Sequence, residues 1–86
     1  MENKKMRDEI VSLIEEIDIS YQGVKARHQR TITFETDIIV IEDLESSYEE
    51  IAIITGDKVR IIAEDGETVS ELTLEEYYQN FTENWS

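Results

Sequence analysis

The chain predicts an α+β domain: an N-terminal helix, an antiparallel sheet of four or five strands containing a β-meander, and a C-terminal helix. Three observations carry that expectation. Apolar residues recur at helical spacing at both ends of the chain, strand-like apolar runs fill the middle, and two glycine-bearing turns divide the later runs. Helices segregated from consecutive strands imply an antiparallel sheet with helices packed on one face. At 86 residues the chain is one domain, residues 1–86, with room for one modest core.

In residues 2–18, Met6, Ile10, Leu13, Ile14 and Ile17 share a helical face, with Val11 on its shoulder. Asp8, Glu9, Glu15 and Glu16 lie on the outer face. Lys4, Lys5 and Arg7 crowd the first turns, the end of a helix that disfavours positive charge, so either another group uses them or solvent does. Residues 19–30 change character, with Gly23 and a basic cluster of Lys25, Arg27, His28 and Arg30. They read as a connector running into a strand.

Residues 31–36 alternate, placing Ile32 and Phe34 on one face, and a continuous apolar run follows Asp37. Two strands separated near Thr36 and Asp37, or one long bent strand, fit equally well. Residues 42–50 form a polar, acid-dense connection. Residues 51–55, Gly56-Asp57 and residues 58–64 then read as a hairpin. Asp65-Gly66 suits a type I′ turn, and residues 67–71 make the third strand of the meander. Thr73 opens the last helix, with Glu76 completing a capping box, and Leu74, Tyr77, Tyr78, Phe81 and Trp85 form its apolar stripe.

Charge is distributed unevenly along this framework. Residues 1–30 hold six basic and six acidic residues, whereas residues 31–86 hold only Lys58 and Arg60 against fifteen acids. The net charge of -13 therefore resides entirely in the second part. Like charges on one small body repel and lower its stability, so such a surface asks for a purpose. It disfavours direct binding to nucleic acid or anionic lipid and favours basic partners. No apolar run reaches the length of a membrane span and no signal peptide is evident. The absence of cysteine rules out disulfides and thiolate metal sites and fits a cytoplasmic protein.

Catalysis is not expected. There is a single histidine, His28, read as a surface residue, and no nucleophile motif. Paired carboxylates would need an enclosed cleft to separate their pKa values, which a domain of this size seldom builds. No cofactor or metal is expected either: in a calcium-loop spacing beginning at Asp43, Tyr48 stands where glycine is required.

The acids outside the apolar framework form the candidate partner-binding set: Glu35, Asp37, Glu42, Asp43, Glu45, Glu49, Glu50, Glu64, Asp65, Glu67 and Glu71. On a strand, residues i and i+2 share a face about 6.6–6.8 Å apart, a spacing suited to negative charges read by Lys and Arg side chains that otherwise grip DNA. In size, charge and α+β make-up the chain resembles the small acidic DNA-mimic proteins of bacteriophages. That group includes inhibitors of uracil-DNA glycosylase, of CRISPR nucleases and of the histone-like nucleoid protein HU. The resemblance implies a noncatalytic inhibitor, acting in the host cytoplasm, that occupies the DNA-binding site of a basic protein. A dispersed acidic surface without an insertion loop favours an HU-like target. An alternative is a regulatory adaptor or antitoxin-like protein that binds through its aromatic C-terminal helix. An exposed edge strand could also pair two copies into a homodimer, although acidic edges discourage it.

Overall fold

A computed structural model of the chain describes residues 3–32, 35–63, 66–67 and 69–85, the last by its backbone alone. The elements run α1 (Asn3–Ser20), β1 (Val24–Arg30), β2 (Thr36–Asp43), β3 (Tyr48–Thr55), β4 (Lys58–Ile62), β5 (Val69–Thr73) and α2 (Leu74–Trp85). The five strands form one antiparallel sheet in sequence order, β1-β2-β3-β4-β5. The predicted α+β fold is therefore the observed one. Among the described residues, no helix is long and apolar enough to cross a membrane.

Both helices lie on the same face of the sheet, α1 over β1 and α2 over β4 and β5, and they touch each other between. From α1, Met6, Ile10, Ile14 and Ile17 enter the core at steps of four, four and three residues, the stripe expected of a surface helix. Ala26, Ile39, Ile41, Ala52, Ile54 and Val59 rise from the sheet, and Leu74, Tyr77 and Phe81 come down from α2. The C-terminal aromatic stripe is thus mostly core. Tyr78, at its margin, donates a hydrogen bond to Glu9 of α1 and so links the helices.

The α2 cap forms as predicted: the Thr73 N–H donates to Glu76 Oε1, and the Glu76 N–H to Thr73 Oγ1, each at 3.1 Å. The β3–β4 turn has Gly56 at φ 60°, the first central position of a two-residue hairpin loop, where a side chain would be strained. The Asp65 half of the predicted β4–β5 turn lies outside the described residues, as do Glu64, Thr33, Phe34 and the Trp85 side chain.

Two expectations are corrected in the first half of the sheet. The basic stretch is a strand, β1, paired along its whole length with β2 from Val24 opposite Asp43 to Arg30 opposite Asp37. Its alternation is hidden because the inward side carries His28 and Arg30 beside Ala26, and these polar groups have a partner inside. The predicted strand start at residue 31 is instead a connection: Thr31 N–H donates to the Thr36 carbonyl at 3.0 Å, and Ile32 is 95% exposed rather than inward-facing. A single strand, β2, begins at Thr36.

Candidate functional site

The partner of those inward basic groups is Asp37, fully buried at 0% exposure. It lies in register with Ile39 and Ile41 on the core-facing side of β2. Its carboxylate accepts from Arg7 Nε at 2.6 Å, His28 Nε2 at 2.6 Å and Arg30 Nε at 2.7 Å. Arg30 also reaches Asp8 at 3.1 Å, so α1, β1 and β2 meet in one ionic cluster. Burial pushes the Asp37 carboxyl up, but the hydrogen bonds from Arg30, His28 and Arg7 outweigh it and hold the group below the usual carboxylate range. The Arg30 guanidinium is raised, chiefly by its hydrogen bond to Asp37.

Asp37 therefore leaves the partner-binding set, and His28 is not a bare surface residue. The error has a visible cause: Asp37, Ile39 and Ile41 share strand parity, so an inward acid was legible in the spacing. The cations needed to accompany it were scattered over separate elements.

The remaining acids separate by which end of the sheet they occupy. Only residues 44–47 of the acid-dense connection form the β2–β3 turn. Glu42 and Asp43 end β2, and Glu49 and Glu50 lie near the start of β3, with Glu42 directly opposite Glu49 and Ile41 opposite Glu50. Asp43 Oδ1 accepts the N–H groups of Glu45 at 3.0 Å and Ser46 at 3.4 Å, which bends the tip. Ser47 completes it at φ 60°. The Leu44 N–H donates to the Gly23 carbonyl at 2.7 Å, and a side-chain carbon on Gly23 would meet Glu45 at 3.4 Å.

That tie brings the end of α1 to the same pole. Glu15, Glu16 and Asp18 occupy the C-terminal part of α1, and its last turn contains no basic residue. Asp18 Oδ1 accepts the Ala26 N–H at 3.0 Å. Carboxylates there oppose the helix dipole. Because β4 runs back antiparallel to β3, the β4–β5 connection with Glu67 also projects from this end. Two acid-bearing connections and one helix terminus thus lie at this pole, while Glu35, Asp57, Glu75 and Glu76 lie at the other end of the sheet.

Among the described residues, Glu42, Asp43, Glu45, Glu49 and Glu50 have no basic side chain within ion-pairing distance. Like charges facing each other across a strand pair, as Glu42 and Glu49 do, destabilise a sheet. Glu50 accepts the Tyr48 hydroxyl at 3.0 Å and lies near enough to Tyr77 to raise that phenol, after burial, the larger cause.

Two candidates lie apart from this pole. Glu35 is at the opposite end, its carbonyl accepting the Gly56 N–H at 3.2 Å. Glu71 is on β5, paired with Arg60 at 3.0 Å. Glu64 and Asp65 lie outside the described residues. The sequence set omitted Glu15, Glu16 and Asp18, because a balanced count over residues 1–30 conceals that topology separates the acids at one end of α1 from the cations at the other. Among the described residues, no three His, Asp or Glu side chains are grouped to hold a metal ion. Compared with protein-family models, with curated proteins and with solved structures, the chain gives no match.

Proposed function

We propose that the chain is a noncatalytic DNA-mimic inhibitor whose acidic pole occupies the DNA-binding surface of a basic protein, an HU-like nucleoid protein being the favoured target. Bacterial host cytoplasm is the compartment this reading requires. The observation that carries it is the gathering of Glu42, Asp43, Glu45, Glu49 and Glu50 at one end of the sheet, with no ion pair among the described residues, near the end of α1 that carries Glu15, Glu16 and Asp18. A fold selected only for stability would intersperse more cations there than Lys25. Arg7 of α1 and Arg30 of β1 are used at the other end, on Asp37 and Asp8, and Lys25, opposite Glu42 in the sheet, is the β1 cation beside this pole. A DNA-binding protein would meet closely spaced anions without base edges, and would gain the sequence-independent electrostatic part of its DNA affinity.

Competition tests the proposal. Labelled duplex DNA bound to an HU-like protein at low salt is titrated with the chain, and anisotropy reports displacement. The wild type should displace DNA, less effectively as salt rises past the range where the Debye length is about 10 Å. Replacing Glu42, Asp43, Glu45, Glu49 and Glu50 by their amides should weaken displacement by roughly tenfold or more, because removing each screened ion pair costs a few tenths to about 1 kcal/mol. Glu35→Gln should leave it unchanged. Failure of the wild type to displace DNA, or equal loss with Glu35→Gln, defeats the reading.

A further inference from the structure

The face of the sheet away from the helices has a different character from the pole. Strand register arranges its side chains in rows. One row reads Arg27, Val40, Ile51, Ile62, Val69 across all five strands. The next reads Gln29, Ile38, Ile53, Arg60, Glu71. Beyond them lie Lys25, Glu42 and Glu49 on one side, and Thr36, Thr55, Lys58 and Thr73 on the other. The six aliphatic side chains are contiguous. No described element covers them, and Val69 is 50% exposed while the other five are half-buried by their neighbours alone.

Charge on this face is nearly balanced, Lys25, Arg27, Lys58 and Arg60 against Glu42, Glu49 and Glu71, on a chain of net charge -13. It is the surface on which a second copy meets least repulsion. We propose that two copies associate through this face, sheet against sheet, about a two-fold axis that runs across the strands between the two aliphatic rows. That operator lays Ile38 and Ile53 of one copy on Val40 and Ile51 of the other. It sends the two acidic poles to opposite ends of the pair. It also brings Glu49 of each copy diagonally opposite Lys58 of its partner, within reach across sheets packed about 10 Å apart.

Strand and row spacings give the face an outline of about 20 by 20 Å, or about 400 Å² per copy. That flat outline is about half the roughly 800 Å² of accessible surface buried per partner in a standard interface, so the dimer is weak and reversible. Its salt response is the reverse of that expected for capture of a basic protein. Screening relieves the repulsion between two anionic copies, so added salt tightens the dimer.

Sedimentation over a concentration series at low and high salt, with methyl NMR shifts followed on dilution, tests the inference. Expected are a monomer–dimer equilibrium tightening several-fold with salt, and dilution shifts confined to the methyls of this face, Ile38, Val40, Ile51, Ile53, Ile62 and Val69. Ile51→Lys should be monomeric with an unchanged far-UV spectrum. If Ile51→Lys fails to fold, Lys58→Glu serves instead: it should weaken the dimer several-fold, and Glu49→Lys with Lys58→Glu should restore it. A wild type monomeric up to about 1 mM, at which even a 4 kcal/mol association would register, overturns the proposal. So do dilution shifts on the edge strands β1 and β5 with none on β2 and β3, which indicate edge pairing, and dimerisation indifferent to Lys58→Glu.

Discussion

Replacing Asp37 is the sharpest test of how the two halves of the chain are joined. Asp37 is fully buried and receives Arg7, His28 and Arg30, and Arg7 is itself only 7% exposed. Asp37→Asn keeps the volume but removes the charge and points amide donors toward guanidinium donors. Breaking a buried pair by removing one partner costs about 3–5 kcal/mol, because the other charge stays buried without compensation. An 86-residue domain has a total stability of roughly 4–13 kcal/mol, so the variant should be close to half unfolded or worse at the low end of that range. Urea unfolding followed by circular dichroism reads the loss directly, as a midpoint lowered by up to a few molar at a slope of about 1 kcal/mol/M. The pH dependence has a fixed sign. The Asp37 carboxyl is held below its unfolded value, so its contribution is complete above about pH 4 and disappears as pH falls through the lower folded value. The gap between wild type and Asp37→Asn should accordingly close in acid. Asp37→Leu combined with Arg7→Met should be more stable than Asp37→Leu alone, since the orphaned charge is removed with its partner. A loss below about 1 kcal/mol for Asp37→Asn, within the range of an exposed ion pair, would refute the buried cluster.

Two smaller perturbations probe the C-terminal half. The Tyr77 hydroxyl is buried and has no hydrogen-bond partner among the described residues, so Tyr77→Phe should match or exceed wild-type stability, by up to about 1 kcal/mol in a thermal melt. Thr73→Ala removes one arm of the α2 capping box and should cost about 0.5–2 kcal/mol in the same urea assay.

The parts of the fold that were legible in the sequence are those whose signal is local. Periodicity along α1 and α2, the Thr73–Glu76 cap and the Gly56 turn are each decided within a few residues. β1 was not legible because its inward positions after Ala26 are His28 and Arg30, which read as surface until Asp37 is placed opposite them. Ile32 misled in the other direction: an apolar residue in an alternating run took the place of a turn, and it is almost wholly exposed. The acidic pole was half legible. Its hairpin acids follow one another in the chain, whereas Glu15, Glu16 and Asp18 join them only through the antiparallel return of β1 along β2.

The charge count along the chain and the charge map of the folded molecule therefore lead to different conclusions. Along the chain, all the excess lies after residue 30; in the fold, Asp37 is neutralised inside, Glu71 is paired with Arg60, and the uncovered sheet face is close to neutral. Of the acids that remain among the described residues, Glu42, Asp43, Glu45, Glu49 and Glu50 lie at the β2–β3 end and Glu35, Asp57, Glu75 and Glu76 at the other. A uniformly acidic surface would do no more than keep copies apart. In the two proposed associations, the β2–β3 end attracts a basic partner and the aliphatic face another copy, and Glu42 and Glu49, which belong to both surfaces, make the two overlap at one edge. Salt discriminates between them, since the first association must weaken and the second must strengthen as ionic strength rises. A single titration measuring both in one sample therefore tests whether the polarity of the fold, rather than its total charge, governs what it binds.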